Sequence, residues 1–425
     1  MARTPPPPKR IAYLFTTFPK LSERFLEREL EGLAAHTELE IEIHSLLGGG
    51  GNAFERFPVF RFRLRDWLAL PYHLLRELIR RPQAFHEIAR LNDAYLPKSW
   101  INGLEHYLGL AFAIVRAAEF RKDPPHRIHA VWATGPASAA WFLSRLNGTP
   151  FSMGCHAYDL FRYGGDVLLT EKIKAARFIH TSTAQARDAL IAKGAPAEKV
   201  CLIRRSAPQG KPTLPAEPAA GSLPEKPDPT APTNSRPNPN ARIRILSVGR
   251  LVEKKGYFEL LTILRRCADA SIPFSAKIIG EGPLRNDLER RIAQLHLNGQ
   301  VELVGQMPNH EVEATYRSFA DVFFFTGKTA ASGDRDGLPN VIIEAIHAGV
   351  PVFASGSGAT AEAIQAGLTG ELIDINRPEL WAAALRRLAQ DAEYAARLRH
   401  EARAWVEQHC NPRTNALALA ERLVS

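Results

Sequence analysis

Residues 207–240 carry ten prolines among scattered Ala, Thr and Asn, with almost nothing apolar. A stretch of that composition cannot bury enough surface to offset the entropy of ordering it, so it reads as a disordered or polyproline-like linker. It splits the 425 residues into two halves, each long enough for its own core. On both sides short apolar runs alternate with segments of helical periodicity. That alternation predicts a doubly wound parallel sheet with helices on both faces. The expectation is an α/β chain with domains over 1–206 and 242–405, a linker over 207–241 and a helical stretch over 406–425.

The N-terminal half opens with a strand over 11–15 and a loop over 16–20. Ser22 then caps a helix with Phe25, Leu26, Leu30 and Leu33 at helical spacing. A strand over 39–47 and a glycine-rich loop over 48–51 follow. Residues 60–90 form a basic stretch that includes Arg61, Arg63, Arg65, Trp67, Tyr72, Arg76, Arg80 and Arg81. It has two readings: a helix with its leucines in the core and its arginines in water, or an interfacial helix resting on anionic lipid. A helical pattern covers 100–120. Residues 128–138 read as strand, loop and helix start, and 151–159 as a strand and polar loop. Cys155 and His156 do not form a nucleophile pair, because neighbours on a strand point to opposite faces. A strand over 177–181, a helix over 183–193 and a strand over 200–203 complete this half.

In the C-terminal half, strands over 243–248, 276–280, 301–305, 322–325 and 350–354 each run into a polar loop. After 322–325 comes Gly333-Asp334-Arg335-Asp336-Gly337-Leu338-Pro339-Asn340 and a helix starting near Pro339, where a missing N–H costs nothing. The free amides of Gly337, Leu338 and Asn340 at a helix start favour an anion. Asp336 stands on the lip, and Glu344 lies roughly 7 Å further along the axis, leaning back toward the same end. Two carboxylates at different depths around a phosphate-sized site suit a sugar diphosphate.

This pattern resembles the donor-binding domain of the retaining, glycogen-synthase-like glycosyltransferases (family 4, glycosyl transferases group 1). Their motif is Glu, seven residues, Glu, with Gly-x-Pro after the first acid; here Asp336 replaces the first Glu. Gly249-Arg250 and Lys255-Gly256 match the pair of cations that grip the donor diphosphate. Gly280-Glu281-Gly282-Pro283 and Gly305 match loops beside the nucleotide. In the N-terminal half, Phe18-Pro19-Lys20-Leu21-Ser22-Glu23-Arg24-Phe25 is similar to the opening of a subgroup that builds exopolysaccharides of the colanic-acid and amylovoran type, with Arg24 for the usual Thr. His129-Ala130-Val131 has Val131 where that subgroup has a second His. His156 and Asp159 match its His-Ala-x-Asp, and Arg204-Arg205-Ser206 replaces an Asn-Gly turn.

The resemblance implies two Rossmann-like domains facing across a cleft, the GT-B architecture, with the last helix crossing back to the first domain. It implies transfer of a hexosyl group from UDP- or GDP-hexose to an oligosaccharide or lipid-linked acceptor. Arg250, Lys255 and the 337–340 amides would hold the diphosphate, Glu344 the ribose, and Asp336 the sugar hydroxyls. His156 would lie near the anomeric centre, and Gly249, Gly280, Gly282, Gly305, Gly337, Leu338, Pro339 and Asn340 would line the donor. No cofactor and no metal are expected. A GT-B epimerase or phosphorylase, or a non-catalytic polysaccharide-binding relative, remains an alternative.

The net charge of +9 admits anionic lipid or phosphorylated substrates. The sequence carries no zinc-finger pairs, RNP aromatics or basic tail, so nucleic acid is not an expected partner. Four scattered cysteines read as reduced thiols. No apolar run reaches the roughly 18 residues of a spanning helix, and the start lacks the pattern of a signal peptide. The expected location is the cytoplasm, with peripheral attachment to the inner face of the membrane left open.

Overall fold

The structure, a computed structural model, describes residues 9–20, 23–93, 95, 97, 99–208 and 242–425. Ser22 as a helix cap, and the linker from 209 to 241, lie outside the described residues. The chain divides into two compact units. One comprises Met1–Ser206, Ser332–Asp334 and Pro412–Ser425; the other comprises Ala207–Ala331 and Arg335–Asn411.

The first unit begins with β1 (Arg10–Phe15), α1 (Arg24–His36), β2 (Glu40–Ser45), β3 (Ala53–Phe54) and β4 (Phe57–Arg61). Three helices follow: α2 (Leu64–Arg80), α3 (Pro82–Asp93) and α4 (Trp100–Lys122). Then come β5 (Arg127–Ala130), α5 (Gly135–Asn147), β6 (Phe151–Gly154), α6 (Tyr158–Phe161) and α7 (Leu169–Ala175). β7 (Ile179–Thr181), α8 (Ala184–Ala192) and β8 (Val200–Leu202) close the run. The sheet order is β3-β4-β2-β1-β5-β6-β7-β8, parallel except for the β3–β4 hairpin. Residues 11–15 of β1 are at most 1% exposed, since helices cover both faces of the sheet.

The hairpin precedes the 60–90 stretch and takes only Phe60 and Arg61 from it; the stretch is helical from Leu64 onward. β4 alternates Phe57 and Val59 inward with Pro58 and Phe60 outward, a period of two that the basic composition around it obscures.

The second unit holds β9 (Ile243–Val248), α9 (Tyr257–Asp269), β10 (Phe274–Ile279), α10 (Arg285–Gln294), β11 (Val301–Gly305) and α11 (Asn309–Ser318). It continues with β12 (Val322–Phe325), α12 (Asn340–His347), β13 (Val352–Ala354), β14 (Glu371–Leu372), α13 (Pro378–Gln390) and α14 (Ala392–His409). Its order is β11-β10-β9-β12-β13-β14, all parallel. The order reverses between β9 and β12, and the C-terminal ends of those strands are where such sheets bind ligands. Trp381 of α13 is fully buried against Phe324 of β12, ring centroids 5.1 Å apart, with its indole N–H donating to Asp374 O at 3.0 Å.

The last helix, α15 (Pro412–Val424), belongs to the first unit and packs on α1. It begins at Pro412 and not at 406, because Val406 still closes the core of the second unit. All four cysteines are buried and free.

Two glycines set the closest helix contact in the first unit. A Cβ on Gly109 of α4 would lie 2.3 Å from Gly135 O, and one on Gly135 would lie 2.7 Å from Glu105 O. Gly109→Ala is therefore expected to lower stability by about 1–3 kcal/mol, the range for overpacking a tight core, measured by urea unfolding. An unchanged midpoint would mean that α4 shifts without cost.

Candidate functional site

In the second unit three loops meet at the switch point. β9 leads into Gly249-Arg250, then a 3-10 turn, Glu253–Lys255, closed by Gly256 in the left-handed region at φ +66°. A Cβ at Gly256 would lie 1.8 Å from Thr326 O just past β12, so only glycine permits this approach. Gly280, at φ +148°, sits as tightly: its Cβ would be 1.9 Å from Gly249 O. The loop after β10 is tied to β11 by Gly280 N donating to Gly305 O at 2.8 Å.

Two lysines on the 3-10 turn converge on Asp336. Lys255 Nζ donates to Asp336 Oδ2 at 2.7 Å, and Lys254 Nζ lies 3.4 Å from Oδ1. Burial alone would raise the Asp336 carboxyl; Lys255 and then Lys254 outweigh it and hold it below the ordinary carboxylate range. Lys255 also lies 5.4 Å from the ring centroid of Phe325. Arg250, on the loop that follows β9, is exposed. Lys254 was not among the residues expected here. Adjacent lysines read as a solvated pair, and nothing in the sequence says that both turn the same way.

Pro339 is the N-cap of α12 and not its first residue. Its ψ of 134° keeps it extended, and its carbonyl already accepts from Ile342 N at 3.1 Å. Gly337, Leu338 and Pro339 are buried, while Asn340 and Glu344 are half-buried. A Cβ on Gly358, in the loop after β13, would lie 2.0 Å from Asp336 O, so that loop presses on the Asp336 backbone.

In the first unit, Asp159 organises the loops after β5 and β6. Its Oδ1 accepts from His156 N at 2.9 Å and Ala157 N at 3.1 Å, and its Oδ2 from Ala133 N at 3.1 Å. Burial still pushes this carboxyl up, against the pull of those three amides. Lys172, wholly buried, donates to Ala133 O at 2.7 Å and Asp166 Oδ2 at 3.0 Å, anchoring the same turn from below.

His156 itself lies in the interior, 2% exposed. Its ring stands edge-on to His180 at 5.2 Å and to Trp132 at 5.3 Å, and its Nδ1 has no hydrogen-bond partner among the described residues. It faces a cavity of about 20 Å³, room for about one water, shared with Phe25, Glu29, His180, Ser182 and Arg205. Arg205 lies 3.9 Å from the ring centroid of Phe25, and Asn415 Nδ2 of α15 donates to Arg204 O at 2.8 Å. Arg204-Arg205-Ser206 thus ties α1 and α15 together.

Beside this cavity lies a cluster that the sequence did not disclose. Glu29 Oε2 is 3.7 Å from His180 Nδ1, and Tyr13 O–H reaches Glu29 Oε1 at 3.5 Å. One donor atom each from Glu29, His129 and His180 lies within 4.8 Å of the others. The outer ring nitrogens are engaged: His129 Nδ1 with Ser152 Oγ at 2.8 Å, His180 Nε2 with Ile203 O at 3.1 Å. Tyr13 and His129 sit inside strands β1 and β5, where a polar residue in an apolar run is easily passed over. Burial pushes Glu29 up to about 8, against the pull of Tyr13 and Arg205. Burial likewise lowers His129 and His156, and brings His180 down to about 4.

Residues 233–405 match the family model described as Glycosyl transferases group 1, and residues 23–205 match Glycosyl transferase 4-like domain. A putative colanic acid biosynthesis glycosyltransferase, WcaL of Escherichia coli K12, is 33% identical over 186 residues, 44% of this chain and 46% of that protein. The amylovoran biosynthesis glycosyltransferase AmsK of Erwinia amylovora is 34% identical over 234 residues, 55% of this chain and 53% of the relative. The chain thus spans about half the length of the curated relatives it matches. Among solved structures, Anabaena HepE with UDP and glucose superposes with a TM-score of 0.63 at 17% identity, covering 98% of this chain and 99% of that one. Sucrose-phosphate synthase from Thermosynechococcus elongatus reaches 0.69 at 18% identity, covering 97% and 98%. This likeness shows the fold, a pair of doubly wound domains of the GT-B class.

The Glu29 cluster gives stability a pH dependence of definite sign. Between 4.5, where an ordinary glutamate titrates, and about 8, the folded chain holds a proton on Glu29 that the unfolded chain has lost. Stability from this group therefore falls as pH rises through that window. The histidines act oppositely, but only below 6.5, their ordinary value. From pH 6.5 to 8 the Glu29 contribution stands alone within the cluster and amounts to roughly 2 kcal/mol. Urea unfolding of the native chain and Glu29→Gln is expected to show a decline that the variant lacks; equal slopes would refute the assignment.

Proposed function

We propose that this chain, whose two halves belong to the glycosyl transferase 4-like and glycosyl transferases group 1 families, moves a hexosyl group from a nucleotide-sugar to a hydroxyl of a lipid-linked oligosaccharide. The setting is assembly of an exopolysaccharide or other cell-surface polysaccharide. The observation that carries the reading is the convergence of Lys254 and Lys255 on Asp336 at the switch point between β9 and β12. The names of the relatives add to it: colanic acid and amylovoran glycosyltransferases, and a GDP-mannose-dependent mannosyltransferase of Mycolicibacterium smegmatis, 31% identical over 204 residues. UDP bound to HepE and GDP-mannose in that mannosyltransferase's name leave UDP- or GDP-hexose as the donor.

In this reading the donor diphosphate binds beside Arg250 and Lys255 and competes with Asp336 for Lys255. Released from that pair, Asp336 turns to the sugar hydroxyls while Glu344 takes the ribose. The acceptor oxygen bonds to the anomeric carbon as the bond from that carbon to the phosphate oxygen breaks. The acceptor proton passes to the leaving phosphate on the same face, so configuration is retained. Fixed cations stabilise the charge that grows on the diphosphate as the bond breaks. No metal is needed for that step.

Two outcomes follow. EDTA is expected to leave the transfer rate unchanged; loss restored by Mg²⁺ or Mn²⁺ would overturn the assignment of charge neutralisation to Arg250 and Lys255. Glu344→Ala is expected to lower kcat/KM about a hundredfold, as loss of a charged hydrogen-bond partner does, whereas Asp336→Glu retains transfer. Wild-type turnover by Glu344→Ala would show that the ribose contact lies elsewhere.

A further inference from the structure

The sequence allows two readings of residues 60–81, and the structure separates them. The face of α2 that meets the rest of the unit carries its acids. Asp66 is 7% exposed, accepts from Arg63 N at 2.7 Å and lies 3.4 Å from Arg116 of α4. Glu77 is wholly buried, 2.6 Å from Arg121 of α4 and 3.0 Å from Arg76. Leu70 and Leu74 complete that inner seam against the core.

The opposite face is apolar and open to solvent. Leu64 is 74% exposed, Leu68 76%, Tyr72 66%, Leu75 61% and Ile79 73%. Their spacing of four, four, three and four residues forms one stripe along the helix. Exposed Arg63, Arg65, Arg80 and Arg81 flank both ends of the stripe. The acids that would offset them are turned inward and matched by Arg116 and Arg121, so the outer face is apolar with a positive border. No helix among the described residues is long and apolar enough to cross a membrane.

We propose that this outer face of α2 docks the protein in the plane of an anionic lipid surface, with the stripe entering the acyl boundary and the arginines meeting lipid phosphates. Leucines at such spacing with arginines beside them fit an interfacial helix, and the attraction of the basic border is screened by salt. Charge favours lipid over a second copy of this chain, since two such faces would bring like charges together. Lipid attachment deepens the reading of a lipid-linked acceptor but stands on the geometry of α2 alone.

The test is flotation of the full chain with vesicles of phosphatidylcholine alone and with about one quarter phosphatidylglycerol. Native protein is expected to float with the anionic vesicles and to dissociate as salt rises. Leu68→Ser/Leu75→Ser/Ile79→Ser and Arg65→Gln/Arg80→Gln/Arg81→Gln are each expected to lower vesicle affinity at least tenfold, roughly what several interfacial contacts contribute. Melting curves and donor hydrolysis are expected to be unchanged. No flotation of the native chain, or flotation of both variants equal to that of the native chain, overturns the proposal. So does concentration-dependent self-association that the serine variant abolishes in the absence of lipid binding. A chain that floats but transfers no sugar refutes the proposed activity alone; one that transfers sugar but does not float refutes lipid docking alone.

Discussion

A single carboxylate between two lysines fixes the chemistry-bearing end of the second unit. Asp336 comes from the long loop after β12, Lys254 and Lys255 from the turn after β9, and their union joins the two strands between which the sheet order reverses. The approach is possible because Gly256 lets the turn lie against Thr326 and Gly358 lets a third loop press on Asp336 from behind. The side chains are 10% to 17% exposed, so this is closer to a buried pair than to a surface one. Removing one partner of such a pair leaves a stranded charge, a loss of about 3–5 kcal/mol where burial is complete. In the proposed reading, a donor diphosphate would satisfy the lysines as the carboxylate leaves them.

The first unit uses polar burial in two different ways. Lys172 has three oxygen acceptors and Asp159 three amide donors, and both serve the turns after β5 and β6. Networks matched in this way hold their members in one arrangement. The Glu29, His129, His156 and His180 group is less fully matched, with His156 Nδ1 unpartnered next to a water-sized cavity. The contrast separates a rigid network at the strand ends from a titratable group in the layer beneath them.

Much of this was legible from residue order because the strands are short apolar runs bounded by polar loops, the central ones buried on both faces. Runs such as 243–248, 301–305 and 322–325 were read with the bounds that the structure has. Chain order with right-handed crossovers then leaves few sheet arrangements. The spacing of Asp336 and Glu344 was equally plain, since both lie within one loop-helix unit. What could not be read was pairing across the sheet: that Lys254 joins Lys255, or that Tyr13 and His129 of separate strands border Glu29 of a helix. The hairpin of β3 and β4 was hidden for a different reason. Its signal is short, and it stands next to seventeen residues of helix whose periodicity dominates the window.

The orientation of α2 is the least expected feature, because stability alone does not favour it. A seam of leucines facing the core would be at least as stable as buried Asp66 and Glu77 held by Arg116 and Arg121, since desolvating ion pairs often costs as much as their attraction returns. The helix has those leucines, five large side chains' worth with Tyr72 and Ile79, and turns them to water. Each bears an unfavourable exposure that rotating the helix by half a turn would remove, at the expense of exposing two acids that prefer water. That rotation is opposed by the arginines already placed on α4: half-buried Arg121 would lose Glu77, and Arg116 would lose Asp66 and keep Glu119. The inward ion pairs therefore act as a constraint on direction more than as a source of cohesion. They keep the apolar stripe outward, where the proposed lipid surface would cover it.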